Sequence, residues 1–130
     1  VAALDHEQLA ALTPGQVDAV GEASLMLEDK LLRDLRVERL RHPRAHSQQP
    51  PSRCHHLLQQ PVVERFEPEA NHFELRTAFH YSERQGEEVQ SHVGWALHRL
   101  RAEPDGLKIV LKRVDLLDAD TALPMIQLFI

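Results

Sequence analysis

The clearest pattern in the chain is an alternation of apolar and polar positions from residue 73 to 81. Phe73, Leu75, Thr77, Phe79 and Tyr81 alternate with Glu74, Arg76, Ala78 and His80, the period of two expected of a half-buried strand. Val89 to Arg101 continues the pattern, with Val93, Trp95 and Leu97 on one face. The polar stretch Ser82 to Glu88, containing Gly86, predicts the loop of an antiparallel hairpin. Parity then sets Leu75 opposite Trp95 and Phe73 opposite Leu97. Ala102-Glu103-Pro104-Asp105-Gly106 predicts the next turn, its Asp-Gly pair being a strong hairpin signal. Leu107 to Leu117 predicts a third strand, and Pro124 to Ile130 a last edge strand with proline at its start, where a missing N–H is tolerated. Upstream, His56 to Phe66 predicts another strand, interrupted or bulged near Pro61.

The first half of the chain has a helical period instead. Ala2, Ala3, Leu4, Leu9, Ala10, Ala11 and Leu12 predict a helix that Thr13-Pro14-Gly15 stops. Ser24 to Leu27 reads as a short strand or as the lead-in to a second helix, with Asp29 as its N-cap. Leu31, Leu32, Leu35 and Leu40 then form an apolar stripe, with Arg33, Arg36 and Arg39 on the remaining surface. Pro43 ends this helix near Arg41. Residues 42–53 form a polar connector rich in proline and glutamine. Helices followed by antiparallel strands predict an α+β domain, with the helices on one side of a curved sheet. The third strand is apolar on both faces, Ile109 and Leu111 on one, Val110 and Val114 on the other. Its second face needs a cover, which predicts a subunit partner.

Composition narrows the function. The 130 residues make one domain, 1–130. A net charge of -5 argues against nucleic acid as a partner, because phosphate binding needs positive charge. No apolar run approaches the roughly 20 residues of a membrane span, and no signal-peptide pattern opens the chain. Cys54 is the sole cysteine, so no internal disulfide forms and a cytoplasmic location is expected. Of 15 cationic residues all but Lys30, Lys108 and Lys112 are arginines, whose planar fork suits ion pairs at packed interfaces.

Candidate chemistry is sparse. Among the nine histidines, His42 and His46 are four apart, but Pro43 lies between them and prevents a regular helix. His55 and His56 point to opposite faces of a strand, and His92 and His98 are roughly 20 Å apart along one. His72 opposite His98 would supply two ligands at most. No HExxH, paired CxxC or carboxylate cluster accompanies them, so no metal site is expected. Cys54 reads as a buried filler thiol. The sharpest acid/base candidate is Asp115, inside the apolar stretch Val114-Asp115-Leu116-Leu117. Buried within the sheet it would be a general base, with Thr77 or Ser91 as helpers. The competing reading pairs it with Arg113 or Arg99. Arg41, Arg44, His46 and Arg53 form the best interface group, a run of fork-shaped donors in an irregular connector.

Residues 24–60 carry a family resemblance, which extends over roughly residues 12–130. Ser24-Leu25-Met26-Leu27-Glu28-Asp29-Lys30, Leu35-Arg36-Val37-Glu38-Arg39-Leu40, His42-Pro43-Arg44-Ala45-His46-Ser47-Gln48 and Pro50-Pro51-Ser52-Arg53 together resemble the small (beta) subunit of Rieske-type aromatic-ring-hydroxylating dioxygenases. Arg113 to Asp118 and the closing Ile126-Gln127-Leu128-Phe129-Ile130 fit the same order. The resemblance implies a nuclear-transport-factor-2-like (cystatin-like) cone, with N-terminal helices against a curved antiparallel sheet. It implies a structural subunit, not an enzyme by itself, that assembles with a large alpha subunit as an α3β3 hexamer in aromatic-compound catabolism. The Rieske 2Fe-2S cluster and the mononuclear iron would belong to the alpha subunit, leaving no catalytic, cofactor or metal residue on this chain. Compared with the family the N-terminal part is short. The alternatives are a cone-fold isomerase, dehydratase or cyclase built on Asp115, and a small-molecule binder using a cavity inside the sheet.

Overall fold

The computed structural model describes residues 28–130 and, before them, the backbone of Ala3–Leu4. Ala3–Leu4 (β1) is extended rather than helical, and it pairs in parallel with Glu28–Asp29 (β2). Pairing with a distant partner overrides the local helical preference there. The rest of the helix expected over 2–12, its Thr13-Pro14-Gly15 stop and the Ser24 to Leu27 segment lie outside the described residues.

Helix α1 spans Lys30–Arg41. Asp29 is its N-cap, the carboxylate Oδ1 accepting from the Leu32 N–H at 2.8 Å. The helix stops because His42 takes an extended conformation (ψ 132°), as a residue preceding proline prefers. The buried side of α1 differs from the expected stripe. Arg33, Arg36, Val37 and Leu40 face the protein, whereas Leu31, Leu32 and Leu35 are exposed. Arg36 wins the inner position because its guanidinium finds partners there. It donates to Glu28 Oε1 at 2.9 Å, to the Gln127 carbonyl at 2.9 and 3.2 Å, and to the Leu128 carbonyl at 3.2 Å. It also lies 4.5 Å from the centre of the Phe129 ring.

Five strands make one antiparallel sheet: β3 (Arg53–Leu58), β4 (Val62–Glu67), β5 (His72–Gln85), β6 (Glu88–Glu103) and β7 (Gly106–Leu116). The strand expected over 56–66 is split at Pro61, and its halves β3 and β4 lie end to end along the same edge of the long β5. The hairpin register differs from the parity expectation. Leu75 faces His98, Phe73 faces Leu100, and Trp95 faces Ala78. The strands run on through the polar stretch expected to be a loop, and Gln85 pairs with Glu88. Only Gly86 and Glu87 remain to turn the chain, with Gly86 at φ 59°, a glycine conformation that suits tight hairpins. The result is an offset of three residues. An odd offset moves Val93, Trp95 and Leu97 to the opposite face of the sheet from Tyr81.

The core therefore forms from β5 odd and β6 even positions. Phe79, Tyr81 and Ala96 are buried with Ile130, and Val114, Leu116 and Ile126 pack on them. Trp95 lies on the outer face. The second turn falls as expected, with Pro104-Asp105 as its centre and Gly106 following at φ 132°. In β7 the register shifts opposite Arg99 and Leu100, so Val110 is skipped and the strand's two-faced apolar pattern is a bulge rather than two regular faces. The tail from Pro124 to Ile130 is not an edge strand. It crosses in irregular conformation, its carbonyls satisfied by Arg36 and, at Ile130, by Lys112 Nζ at 2.6 Å. Among the described residues no helix is long and apolar enough to cross a membrane.

Candidate functional site

The inner face of the sheet carries a polar cluster centred on Tyr81. Register sets Cys54 opposite Glu83, His56 opposite Tyr81, and Tyr81 opposite His92. Strand alternation turns all five inward. The Tyr81 hydroxyl donates to Glu83 Oε2 at 2.6 Å. The His56 ring lies 4.8 Å from the Tyr81 ring, and the His92 ring stacks at 6.1 Å. Burial, and then the hydrogen bond to Glu83, hold the Tyr81 phenol protonated far above its usual range. His92 is 2% exposed, and both of its ring nitrogens are buried without a hydrogen-bond partner.

Farther along the same face, Lys112 lies opposite His98. Burial lowers the Lys112 ammonium below its ordinary value. Burial, and then the Lys112 charge, lower His98 and His56 below 6.5. This cluster locks β3, β5 and β6 together. A tyrosine bound to a carboxylate and closed to solvent is poorly placed to pass a proton to a substrate.

The acid/base trio does not converge. Asp115 pairs with Trp95 in register and points outward, where its carboxylate accepts from Arg113 Nε at 2.9 Å. Ser91 is also on the outer face, bonded to Ser82 at 3.2 Å. Thr77 is buried on the inner face. The apolar neighbours that suggested a buried Asp115 belong to the alternate face of β7, which is why the arginine pairing prevails.

His72 faces Arg101, not His98, because of the three-residue offset. The His42 ring accepts from the Arg44 N–H at 3.1 Å. Among the described residues no group of three or more His, Cys, Asp or Glu side chains is placed to hold a metal ion. Cys54 is exposed rather than a buried filler, since β3 is an edge strand.

Arg41 closes α1, Arg44 and His46 occupy the turn that follows, and Arg53 begins β3 opposite Arg84. All four side chains are exposed. The connector bearing them is fixed, not loose. Gln85 Nε2 donates to the carbonyls of Ser47 at 2.6 Å and Pro50 at 2.8 Å. Gln48 accepts from the Ser52 N–H at 3.2 Å and donates to Gln127 Oε1 at 3.0 Å.

Charge separates this region from the sheet. Arg65, Arg76, Arg84, Arg99, Arg101 and Arg113 each pair with a carboxylate. Among the described residues Arg39, Arg41, Arg44 and Arg53 pair with none. A polar cleft on the outer face, lined by Arg65, Glu67, His72, Glu74 and Arg99, is internally neutralised by the Arg99–Glu74 and Arg65–Glu67 pairs.

Reasoning from sequence overlooked Arg36 and Lys112. Both are cations whose acceptors are tail carbonyls, and carbonyls leave no trace in a residue pattern. A family model described as "Ring hydroxylating beta subunit" matches residues 3–122. No curated protein matches the chain.

Proposed function

Because the chain belongs to the ring-hydroxylating beta subunit family, we propose that it is the non-catalytic structural subunit of a Rieske non-haem iron oxygenase acting in aromatic-compound catabolism. The match to the family over residues 3–122 carries this reading. The α+β arrangement of helix α1 with a five-stranded antiparallel sheet supports the nuclear-transport-factor-2-like cone.

The residues here do not fit the cofactors themselves. A Rieske cluster takes two cysteine thiolates, and Cys54 is the chain's sole cysteine. In this reading the Rieske cluster and the mononuclear iron belong to the large alpha subunit, which this chain holds in a cytoplasmic α3β3 assembly. Arg41, Arg44, His46 and Arg53 are the contact group, supported by their exposure on a fixed connector and by three arginines that pair with no carboxylate among the described residues. The outward Asp115–Arg113 pair counts against the isomerase alternative.

Purified alone, the chain is expected to contain no iron and to show no turnover. Co-expressed with a large subunit bearing a Cys-x-His…Cys-x-x-His motif, it is expected to co-purify with it. A chain that stays a lone monomer in that experiment overturns the reading. Arg53→Glu is expected to weaken the complex without unfolding the domain.

A further inference from the structure

Buried polar atoms without a hydrogen-bond partner are concentrated at one place on the inner face of the sheet. Among the described residues five side chains carry such atoms, and three of the five are neighbours: Gln90 through Oε1, His92 through both ring nitrogens, and Asp118 through Oδ1. Gln90 and His92 are two apart on β6 and share its inner face, Gln90 opposite Glu83 and His92 opposite Tyr81. Their Cα atoms are therefore roughly 7 Å apart. Asp118 reaches the same face from the chain leaving β7. Gly94 pairs with Leu116, and the Leu117 N–H donates to the Val93 carbonyl at 2.8 Å. That extends the ladder by one step and sets Asp118 beside His92, at a cross-strand spacing of about 5 Å. Leu116 packs on the core and Leu117 is 66% exposed, so alternation turns Asp118 inward.

Buried polar groups are normally satisfied, and three orphans side by side point to a shared partner. The two oxygens can only accept, and a neutral imidazole always keeps a lone pair on one nitrogen. The partner must therefore take electron pairs. Water does so, but it leaves the Asp118 carboxylate without a counter-charge. Among the described residues no cationic side chain pairs with Asp118, and charge drawn out of water seeks an opposite charge. A divalent cation supplies both. We propose that Gln90, His92 and Asp118 hold a zinc ion, with water completing its four-coordination. Imidazole and carboxylate are ordinary zinc ligands, whereas magnesium and calcium favour oxygen alone. The set is not a cluster of three His, Cys, Asp or Glu side chains, because its third member is an amide carbonyl. Its role is structural: it ties β6 to the start of the tail, whose far end Arg36 and Lys112 hold. The zinc site neither requires the subunit role nor touches the iron centres.

The test is titration of the whole chain, stripped of metal by a chelator, with zinc chloride, read by calorimetry and by the midpoint of thermal unfolding. One equivalent is expected to bind, and the midpoint to rise with zinc concentration. His92→Leu and Asp118→Asn are each expected to weaken zinc binding about 10-fold or more, since even the loss of an outer-shell partner weakens a metal site by that order. Magnesium chloride at the same concentration is expected to leave the midpoint where it is. Absence of zinc binding, or binding that both variants retain in full, overturns the proposal, and the three side chains then share water alone. A rise that magnesium reproduces overturns it as well, because the imidazole would then have no part. Should His92→Leu fail to fold, Asp118→Asn decides, since it keeps the shape of the side chain and removes only its charge. Failure here leaves the subunit reading standing.

Discussion

Arg36 and Gln127 are 91 residues apart in sequence, yet the Arg36 guanidinium donates to the Gln127 carbonyl through Nη2 at 2.9 Å and Nε at 3.2 Å. The same side chain pairs with Glu28 at 2.9 Å, and both members of that pair are largely buried. One arginine thus joins the helix lead-in, the helix and the tail. Arg36→Ala strands a buried carboxylate and frees two carbonyls, and it is expected to lower stability by about 3 kcal/mol in urea unfolding. Arg36→Lys is expected to recover little, because a point charge cannot reproduce the fork.

Gly94 of β6 lies opposite Leu116 of β7. A Cβ added there would collide with the Asp115 carbonyl oxygen, which is main chain and cannot rotate aside. Gly94→Ala is expected to cost about 1–3 kcal/mol, read as a lowered midpoint of thermal unfolding. Gly106→Ala meets open space and costs through backbone strain alone, its φ being 132°.

His92 is buried with neither ring nitrogen bonded. Such a group opposes folding, because it gives up water without gaining a partner. His92→Leu is expected to leave stability unchanged or to raise it by about 1 kcal/mol in urea unfolding. A loss of more than about 2 kcal/mol would show that the ring makes a polar contact in solution.

The pH dependence has a definite sign. His56 and His98 bind protons less readily folded than unfolded, their values lying below 6.5 through burial and the Lys112 charge. The unfolded chain therefore takes up protons first as the pH falls. Stability is expected to be insensitive to these two groups above pH 6.5 and to decline as the pH drops from 6.5 through their folded values. Lys112 acts in the same direction at high pH, its burial cost fading as the pH rises toward 10.5. Urea unfolding of His98→Gln across this range checks it, the expected outcome being a shallower acid decline.

The elements that the sequence alone determined are those set by local physics. Asp29 before an apolar run and Pro43 after it delimit α1, because capping and the conformation before proline act within a few residues. The alternation from Phe73 to Tyr81 marks a strand and its inner face, because alternation is a property of one extended chain. Pro61 splits the strand before it, since proline removes a ladder donor.

What the tertiary structure decided are relationships between distant segments. Whether Trp95 or Ala96 turns inward depends on a two-residue turn at Gly86-Glu87, and an offset of three reverses the faces with no change in either strand's own pattern. Whether Arg36 or Leu35 is buried depends on the carbonyls that the tail brings to α1, and these belong to the backbone. The proposed contact group Arg41, Arg44, His46 and Arg53 was visible as chemistry. The fixed connector, and the pairing that neutralises the sheet arginines while leaving these three arginines unpaired among the described residues, required the fold. Periodicity reports which residues share a face of one element, and only assembly of the elements assigns each face a neighbour.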